Sequence, residues 1–338
     1  MKATIYDVAR EAGVSIATVS KVINAKGKIS QERRREIFAI MERLQYQPSV
    51  IASALTGKHT YTLGLLIPDI ANPFYGEVAR AVEDRGHQLG YSVIICSTDN
   101  RDERIEQYIS VLKQKRIDGI MIGTGMGNAD TLRELGGSMP VVAIGRELRA
   151  FPVHTVVADD RQGGRMAAEH LLQLGHRRMA VLSESMTVSS SRDRLMGFKE
   201  RLEEDGIVLQ ERHVRPCKHR MEDGKREAAV MLEDSERPTA IFCCNDLLAV
   251  GALQAAKEAG IRVPNELSVV SFDNTILASV TDPPLTSISQ PMELLGAAAV
   301  DLLLEQLEQG TPAAAKRRVA MRTELIVRAS TASVMLSE

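Results

Sequence analysis

The hydrophobic positions of the chain follow two different periods, and the period changes near residue 60. Before residue 46, apolar residues recur three and four positions apart, which is the spacing of one face of a helix. From residue 62 onward, short apolar runs typical of buried strands alternate with segments of helical periodicity. The pattern therefore predicts a small all-α head followed by a larger α/β core.

Two short helices separated by a tight turn are predicted in the head. Thr4 and Asp7 match a capping box, in which each side chain binds the backbone of the other residue. Gly13 suits the left-handed position at the end of a helix, and Ser15 then caps a second helix. This arrangement describes a helix-turn-helix. An ordinary helical bundle without a ligand is the alternative.

The second helix of this pair divides into an inner and an outer face. Val19, Val22 and Ile23 have the spacing of a buried face. The residues expected largely on the outer side are Ile16, Ala17, Ser20 and Lys21. A third helix is predicted after Ser30, and its buried stripe is expected to contain Ile37, Ile40, Met41 and Leu44.

A short segment after Tyr46 joins the head to the core. Pro48 breaks the helical pattern, and residues 50–55 are enough for only a turn or two of helix. A helix this short is unstable alone in water because nucleation is costly, so it would fold only against a partner. A flexible linker is the alternative. The predicted domains are thus a head over residues 1–46, a hinge over 47–60 and a core over 61–338.

The core pattern predicts two doubly wound parallel-sheet lobes that follow each other along the chain. The predicted strands are Leu63–Ile67, Ser92–Cys96, Gly119–Ile122, Val141–Ile144, Met179–Leu182, Ala240–Cys244, Ser268–Phe272 and Thr286–Ser289. The predicted helices are Tyr75–Leu89, Arg104–Lys115, Gly163–Leu174, Arg194–Glu204, Leu247–Gly260 and Leu294–Gln309. Open parallel sheets bind ligands beyond the carboxyl ends of their strands. Polar residues accumulate there, as in Asn72 and Arg146, so a cleft for a small polar solute such as a sugar or nucleoside is expected.

The charge of the chain is unevenly distributed. Residues 1–58 contain ten Lys or Arg and five Asp or Glu, which gives +5, and the formal total of −2 leaves −7 for the rest. A basic head on an acidic core favours a polyanion as the partner of the head. The N-terminus lacks the apolar segment of a secretory signal, and no apolar run is long enough to span a membrane, so a cytoplasmic protein is expected.

No catalytic or metal-binding pattern emerges. The segment GTGMG at residues 123–127 resembles a dinucleotide loop, but Asn128 stands where the third glycine belongs. The seven histidines lack metalloprotease spacing, and His213 and His219 are expected at the surface. The four cysteines match no redox or zinc motif and are expected to be buried reduced thiols. We therefore expect no enzyme activity, no cofactor and no metal.

Several motifs resemble the lactose/galactose repressor family in the family's order. DVAREAGVSIATVSKVIN at residues 7–24 resembles its helix-turn-helix, and YQPSVIASALTGK at residues 46–58 resembles its hinge. In the core, IFCCNDLLAVGAL and LSVVSFDN are among the matching segments. The resemblance implies a homodimeric, nucleoid-associated transcriptional regulator, by default a repressor, with a core of the periplasmic-binding-protein type. Such a regulator binds a pseudo-palindromic operator and is gated by a small effector such as a sugar, a sugar phosphate or a nucleobase.

The resemblance also implies which residues contact DNA. They are Thr4, Tyr6, Ser15, Ile16, Ala17, Thr18, Ser20, Lys21, Asn24, Ala52 and Leu55. Ile16 and Ala17 align with the base-reading positions, and Lys21 stands where the family usually has arginine. Leu55 matches the hinge leucine that enters the minor groove, and Ser49 replaces a common asparagine.

The effector residues implied by the resemblance lie on both lobes. They are Asn72, Phe74, Arg146, Arg194, Asn245, Asp246 and Asp273. A dimer is expected, because only ten residues follow the last matching motif at Arg328 and tetrameric members carry a leucine-rich tail. A periplasmic solute-binding protein and a cytoplasmic enzyme on the same sheets are the alternatives.

Overall fold

The structure is a computed structural model that describes residues 3–23, 27, 29–46, 59–125, 127–148, 153–218, 220–309 and 316–334. Contacts divide the chain into two compact units, Met1–Thr60 and Tyr61–Glu338. The predicted hinge over residues 47–60 lies almost entirely outside the described residues, so its helix and its boundaries stay predictions.

The first unit contains the three predicted helices, α1 (Ile5–Glu11), α2 (Ile16–Ile23) and α3 (Gln31–Arg43). The Asp7 carboxylate accepts hydrogen bonds from the backbone N–H and the hydroxyl of Thr4, at 2.9 and 2.7 Å. Ser15 accepts from the N–H of Thr18 at 3.2 Å, and Ser30 caps α3. The three predicted helix starts are therefore confirmed.

The helices of this unit enclose a small apolar core. Its buried residues are Val8, Ala9, Ala12, Val19, Val22, Ile37, Ile40 and Met41, and Ile23 and Leu44 pack against them half-buried. Gly13 has φ +61°, in the left-handed region where a side chain is disfavoured, so the chain turns there between α1 and α2.

The second unit contains two six-stranded sheets. The strands are β1 (Thr62–Ile67), β2 (Ser92–Ser97), β3 (Gly119–Ile122), β4 (Val141–Ile144), β5 (His154–Ala158), β6 (Met179–Ser183), β7 (Val214–Pro216), β8 (Ala240–Cys243), β9 (Ser268–Asp273), β10 (Thr286–Ser289), β11 (Arg318–Met321) and β12 (Glu324–Ile326). The strand orders are β11-β5-β4-β3-β1-β2 in the first lobe and β12-β10-β9-β8-β6-β7 in the second. Every pairing is parallel except that of β10 with the edge strand β12. The predicted parallel lobes are confirmed.

Helices cover both faces of each sheet. They are α4 (Pro73–Gln88), α5 (Asp102–Gln114), α6 (Ala129–Ser138), α7 (Asp160–Gln173), α8 (Ser189–Glu204), α9 (Met221–Leu232), α10 (Asp246–Glu258), α11 (Ile276–Val280) and α12 (Met292–Gln309). Consecutive residues of β1 enter different apolar clusters: Leu65 packs on the side of α4 and Leu66 on the side of α5. This alternation explains why the central strands are continuous apolar runs.

The two lobes are not consecutive in sequence, and the predicted tandem order is wrong on this point. Helix α12 follows the second lobe's β10 but packs on α4 of the first lobe, where Gly296 lies against Ala81. Arg85 and Asp301 join the same two helices through an ion pair of 2.7 Å. Strand β11 then completes the first sheet beside β5. Local periodicity identifies a helix or a strand, but it carries no information on which sheet the element joins.

Two helices of the second lobe touch through their backbones. A side chain at Gly164 of α7 would come within 2.0 Å of the Arg194 carbonyl oxygen, and one at Gly197 of α8 within 1.9 Å of the Arg161 carbonyl oxygen. Only glycine allows this approach. It holds Arg194, on α8, next to Asp160 at the start of α7. Among the helices that the structure describes, none is long and apolar enough to cross a membrane.

Candidate functional site

The outer face of α2 is exposed, and apart from Lys21 its side chains are uncharged. Ser15, Ile16, Ala17 and Lys21 are exposed, whereas Thr18 and Ser20 are partly buried. On α1, Tyr6 is 68% exposed, and the N-cap residue Thr4 is exposed too. A large aromatic side chain and an isoleucine that are both exposed on a small domain are typical of a binding surface.

The ion pairs of this unit leave Lys21, on the outer face of α2, without an acidic partner among the described residues. Arg10, Arg33 and Arg43 form ion pairs with carboxylates of the same unit. No carboxylate in the described part of the unit pairs with Lys21, and α2 itself contains no acidic residue. The predicted DNA-contacting residues Asn24, Ala52 and Leu55 lie outside the described residues.

The first lobe supplies two predicted cleft residues that also have roles within the lobe. Asn72 caps α4, accepting a hydrogen bond from the N–H of Phe74 at 3.1 Å. Phe74 is buried in the apolar cluster of this lobe and lies edge-on to Tyr75, with ring centroids 5.0 Å apart. These contacts within the lobe explain the positions of both side chains without a ligand, so they do not test the predicted effector role.

Arg146 follows β4 and is buried without a counter-ion. Its Nη2 donates to the hydroxyl of Tyr75 at 2.9 Å. Its Nε has no hydrogen-bond partner, and no carboxylate of the described residues forms an ion pair with it. Burial raises the pKa of Tyr75, an effect that Arg146 opposes and Glu184 of the second lobe reinforces.

Arg194 has the opposite environment in the second lobe. Its Nε donates to Asp160 at 2.7 Å, its Nη1 donates to the carbonyl oxygen of Cys244, and Nη1 lies 3.4 Å from Asp273. The guanidinium stacks on Phe272, 3.7 Å from the ring centroid. Burial lowers the pKa of Arg194, but the two carboxylates raise it by more, so this arginine stays charged.

Asp273 lies at the end of β9 in a strained conformation. Its φ is +105°, which is unfavourable for a residue with a side chain, and such strain clusters at binding sites. Gln290, which follows β10, donates to the Asp273 carboxylate at 2.6 Å. Burial raises the pKa of Asp273 well above its usual range, and Arg194 opposes that shift.

Asp246, at the start of α10, is hydrogen-bonded to β9, to the loop that follows β9 and to β10. Its carboxylate accepts hydrogen bonds from Ser271 at 2.6 Å, from the N–H and hydroxyl of Thr275 at 2.7 and 2.8 Å, and from Ser287 at 3.3 Å. These bonds use the lone pairs that an effector would need. The neighbouring Asn245 caps α10 and donates to Glu184 at 3.3 Å, toward the cleft.

The two lobes meet around these residues. The Ser189 hydroxyl of the second lobe accepts from the N–H of Glu147 in the first lobe at 2.8 Å. The N–H of Ile276 in the second lobe binds the carboxylate of Glu77 on α4. Tyr75 of the first lobe lies close enough to Glu184 and Asp273 for both charges to affect its pKa. These contacts bring the strand ends of the two lobes together, and the effector role of the predicted residues there stays a prediction.

Four cleft residues were absent from the sequence prediction. They are Tyr75, Asp160, Glu184 and Gln290. Glu184 and Gln290 each follow a predicted strand, so the strand-end rule that selected Asn245 would have found them. Asp160 had no such signal, because its role depends on the close approach of α7 and α8.

The structure gives no support for a nucleotide loop at residues 123–127. The N–H of Gly125 donates to Asn100 at 3.0 Å, and that of Gly127 donates to the Asp102 carboxylate at 3.1 Å. A carboxylate in this position would repel a phosphate.

Among the described residues, the cysteines and histidines show no arrangement typical of a redox or metal-binding site. All four cysteines are buried and unpaired in disulfides, as expected. His213 is buried rather than on the surface, so that expectation was wrong, and His219 lies outside the described residues. Within the described ranges, no group of histidine, cysteine and acidic side chains is arranged to hold a metal ion.

Comparisons with known proteins agree with both units. Residues 4–49 match the model for bacterial regulatory proteins of the lacI family, and residues 168–331 match the periplasmic binding protein-like domain. The chain is 43% identical over 335 residues to the HTH-type transcriptional regulator DegA of Bacillus subtilis, covering 98% of each chain. It is 36% identical to the ribose operon repressor of Halalkalibacterium halodurans, covering 97% of each.

A solved structure extends the likeness to three dimensions. The lac repressor dimer bound to operator and the anti-inducer ONPF matches with a TM-score of 0.87 and 31% identity, over 98% of this chain and 100% of that one. Identity above 30% over nearly the whole length, together with the family model on the head, establishes the relationship. The chain therefore belongs to the lacI family of bacterial regulatory proteins, and it is a DNA-binding transcriptional regulator with a periplasmic-binding-protein-like core.

Proposed function

We propose that this regulator acts as a repressor in the cytoplasm, that it binds a pseudo-palindromic operator as a homodimer, and that a small polar effector in the core cleft changes its affinity for DNA. The observation that supports this most is the cleft itself, in which buried arginine, carboxylate and amide side chains from two lobes face each other. Such a cleft couples ligand binding to the angle between the lobes, and that angle sets the spacing of two heads on DNA. No catalytic role is proposed for any residue.

The outer face of α2 is the proposed reading surface. Ile16 and Ala17 are small enough to let the helix approach the base edges, and both can contact thymine methyl groups. Lys21 can bind guanine or a phosphate, but it lacks the planar fork of arginine. Tyr6, Thr4, Ser15, Thr18, Ser20 and Asn24 are proposed as further DNA contacts, with Ala52 and Leu55 in the minor groove.

Effector contacts are proposed for Asn72, Phe74, Arg146, Arg194, Asn245 and Asp273. Asp246, whose carboxylate is already occupied, is proposed to act by holding the loops that carry Asp273 and Asn245. The lobe-to-lobe contacts at Glu147 and Ser189 would change when the cleft opens or closes.

The test is operator binding by the full-length protein. DNA selected from a random pool by the wild-type chain should contain an inverted repeat, and its affinity should fall steeply with salt. Ile16→Glu should abolish binding, because it places a carboxylate in the groove of a polyanion, next to the base edges. Phe38→Glu is the matched control, since Phe38 is exposed on α3 of the same unit and lies outside the proposed face. Selection of no common sequence, or equal loss in both variants, would disprove the proposal.

A further inference from the structure

A buried cation in the first lobe lacks the partner that a buried cation normally has. Arg146 is 6% exposed, its Nε is unpartnered, and its hydrogen bond from Nη2 goes to the neutral hydroxyl of Tyr75. Removing a charge from water without an opposite charge is strongly unfavourable. The second lobe avoids this cost at Arg194, which is equally buried but lies against Asp160 and Asp273.

The neighbouring loops bring no charged partner to the guanidinium of Arg146 among the described residues. A side chain at residue 125 would begin 3.1 Å from Nη1, but the residue there is glycine. The Asn100 side-chain oxygen, the polar atom nearest this position, already accepts from the N–H of Gly125 and the hydroxyl of Thr124, both at 3.0 Å. Within the described residues, the loops after β2 and β3 therefore offer Arg146 no anion.

The carboxylates across the cleft are engaged with other groups. Asp273 is neutralised by Arg194 and held by Gln290. Glu184 accepts from Asn245. A negative group on a ligand would be attracted to Arg146 and repelled by Glu184, because the hydrogen bond from the neutral amide of Asn245 leaves the charge of Glu184 in place. Hydroxyl groups, which both donate and accept, suit the Glu184, Asn245 and Asp273 side.

We propose that the effector of this regulator is an anionic polyol, and that Arg146, whose Nε has no partner among the described residues, binds its negative group. The proposal rests on the proposed function, because it names the chemistry of the ligand in the same cleft. A phosphate ester and a carboxylate share this chemistry, and arginine binds either with two parallel hydrogen bonds. Arg146 is therefore the residue that separates charged from neutral ligands.

The first experiment uses inorganic phosphate as the probe and full-length protein. Thermal unfolding is measured in phosphate and in chloride at equal ionic strength for wild type, Arg146→Met and Arg133→Met. Arg133 is an exposed arginine of the same lobe, so it controls for the general loss of a positive charge. Phosphate should raise the melting temperature of wild type and Arg133→Met by a few degrees and that of Arg146→Met by none. Arg146→Met without phosphate should melt no lower than wild type, since it removes an uncompensated charge.

The result that overturns the proposal is equally direct. Equal stabilisation of all three proteins by phosphate, or of none, means that Arg146 does not bind an anion. A lower melting temperature for Arg146→Met in chloride would show instead that the arginine serves the fold through Tyr75. Arg146→Lys separates these cases further, because it keeps the charge but loses the Nε geometry and should retain only part of the phosphate effect.

The second experiment identifies the source of the negative charge. Binding of ribose, ribose 5-phosphate and ribonate, and of glucose, glucose 6-phosphate and gluconate, is measured by calorimetry and by release from the selected operator. Within at least one set, an anionic member should bind about tenfold or more tightly than its neutral parent, and Arg146→Met should remove that difference. Preference for the phosphate or the carboxylate decides between the two sources.

Failure of the inference and failure of the proposed function give different results. If neutral sugars bind best and still change operator affinity, the effector cleft stands and the anionic ligand is wrong. If ligands bind the cleft without any change in operator affinity, the gating function is wrong while the Arg146 site is judged by the phosphate experiment alone.

Discussion

The outer face of α2 and the core cleft are both proposed binding surfaces, but they are built from opposite kinds of side chain. On α2, exposed small and apolar residues have few contacts within the protein, so they contribute little to its stability. In the cleft, Arg194, Asp246 and Asp273 are buried and hydrogen-bonded to other groups of the second lobe, so they stabilise the fold as well as the proposed site. A surface that reads a rigid duplex needs access and shape, whereas a cleft that surrounds a small polar molecule needs preorganised polar groups.

Arg146 is the residue that does not fit this division. It lies in the cleft and is buried, yet it lacks the partners that make its neighbours structural. In this respect Arg146 resembles the exposed face of α2, which we propose to bind a ligand rather than to stabilise the fold. The comparison therefore predicts which substitutions affect stability, which affect binding, and which affect both.

The largest effect is expected for Arg194→Met. The change leaves Asp160 and Asp273 buried without a cation and should lower the free energy of unfolding by about 4 kcal/mol. Urea denaturation measures it. Arg201→Met is the matched control: Arg201 is on the same helix and pairs with Glu169 and Asp205 nearer the surface, so about 1 kcal/mol or less is expected. Equal losses would show that burial does not distinguish the two arginines.

A smaller loss is expected for Asp246→Ala. The substitution leaves three hydroxyl donors and the N–H of Thr275 without their acceptor, at a cost of about 3 kcal/mol. Effector affinity should fall together with stability, because the loops that carry Asp273 lose their anchor. Asp301→Ala, which removes an exposed ion pair with Arg85, should change the free energy of unfolding by less than about 1 kcal/mol. A fully stable Asp246→Ala protein would contradict the anchoring role.

Buried His176 makes the stability of the second lobe depend on pH near neutrality. Burial lowers the pKa of His176, whose ring nitrogens bind Thr239, Ser268 and the carbonyl oxygen of Ala332. Below about pH 6.5 the unfolded chain takes up a proton that the folded chain resists, so stability is present above that pH and is lost as pH falls.

The check for this titration is a difference curve. Free energies of unfolding of wild type and His176→Gln are compared from pH 7.5 to 5.5, so that other groups cancel. The wild type should lose about 1 kcal/mol more than the variant over this range. Parallel curves would assign the pH dependence to other groups, of which the buried His170 is the first to test by the same substitution.

The smallest effect on stability is expected for Lys21→Ala. Because Lys21 is exposed and unpaired among the described residues of its unit, the free energy of unfolding should change by less than about 0.5 kcal/mol. DNA affinity should fall about tenfold, and the slope of log affinity against log salt should decrease by about 0.9 if the contact is to phosphate. Lys225→Ala in the core is the control for charge alone. An unchanged affinity would remove Lys21 from the reading face.

The sequence by itself determined most of the local elements of this protein, but its pattern did not indicate β5, β11, α6, α9 or α11. Helix caps at Thr4, Ser15 and Ser30, and the apolar runs of the central strands, depend on residues a few positions apart, so they can be recognised from spacing alone. The edge strands β7 and β12 are short and only partly buried, so their sequences lack that signal. Family motifs indicated the function. The polar residues that follow the strands indicated the edge of each sheet at which the cleft is expected.

Only the tertiary structure decided which elements form each lobe and which charges meet. The packing of α12 on the first lobe and the approach of α7 to α8 through Gly164 and Gly197 join residues far apart in sequence. These contacts give Arg194 two carboxylates and leave Arg146 with none. In sequence Arg146 follows a strand and Arg194 lies within a helix, and neither position indicates whether a carboxylate will lie beside it. Their difference arises because the energy of a buried charge depends on neighbours that the fold, not the local chain, brings within reach.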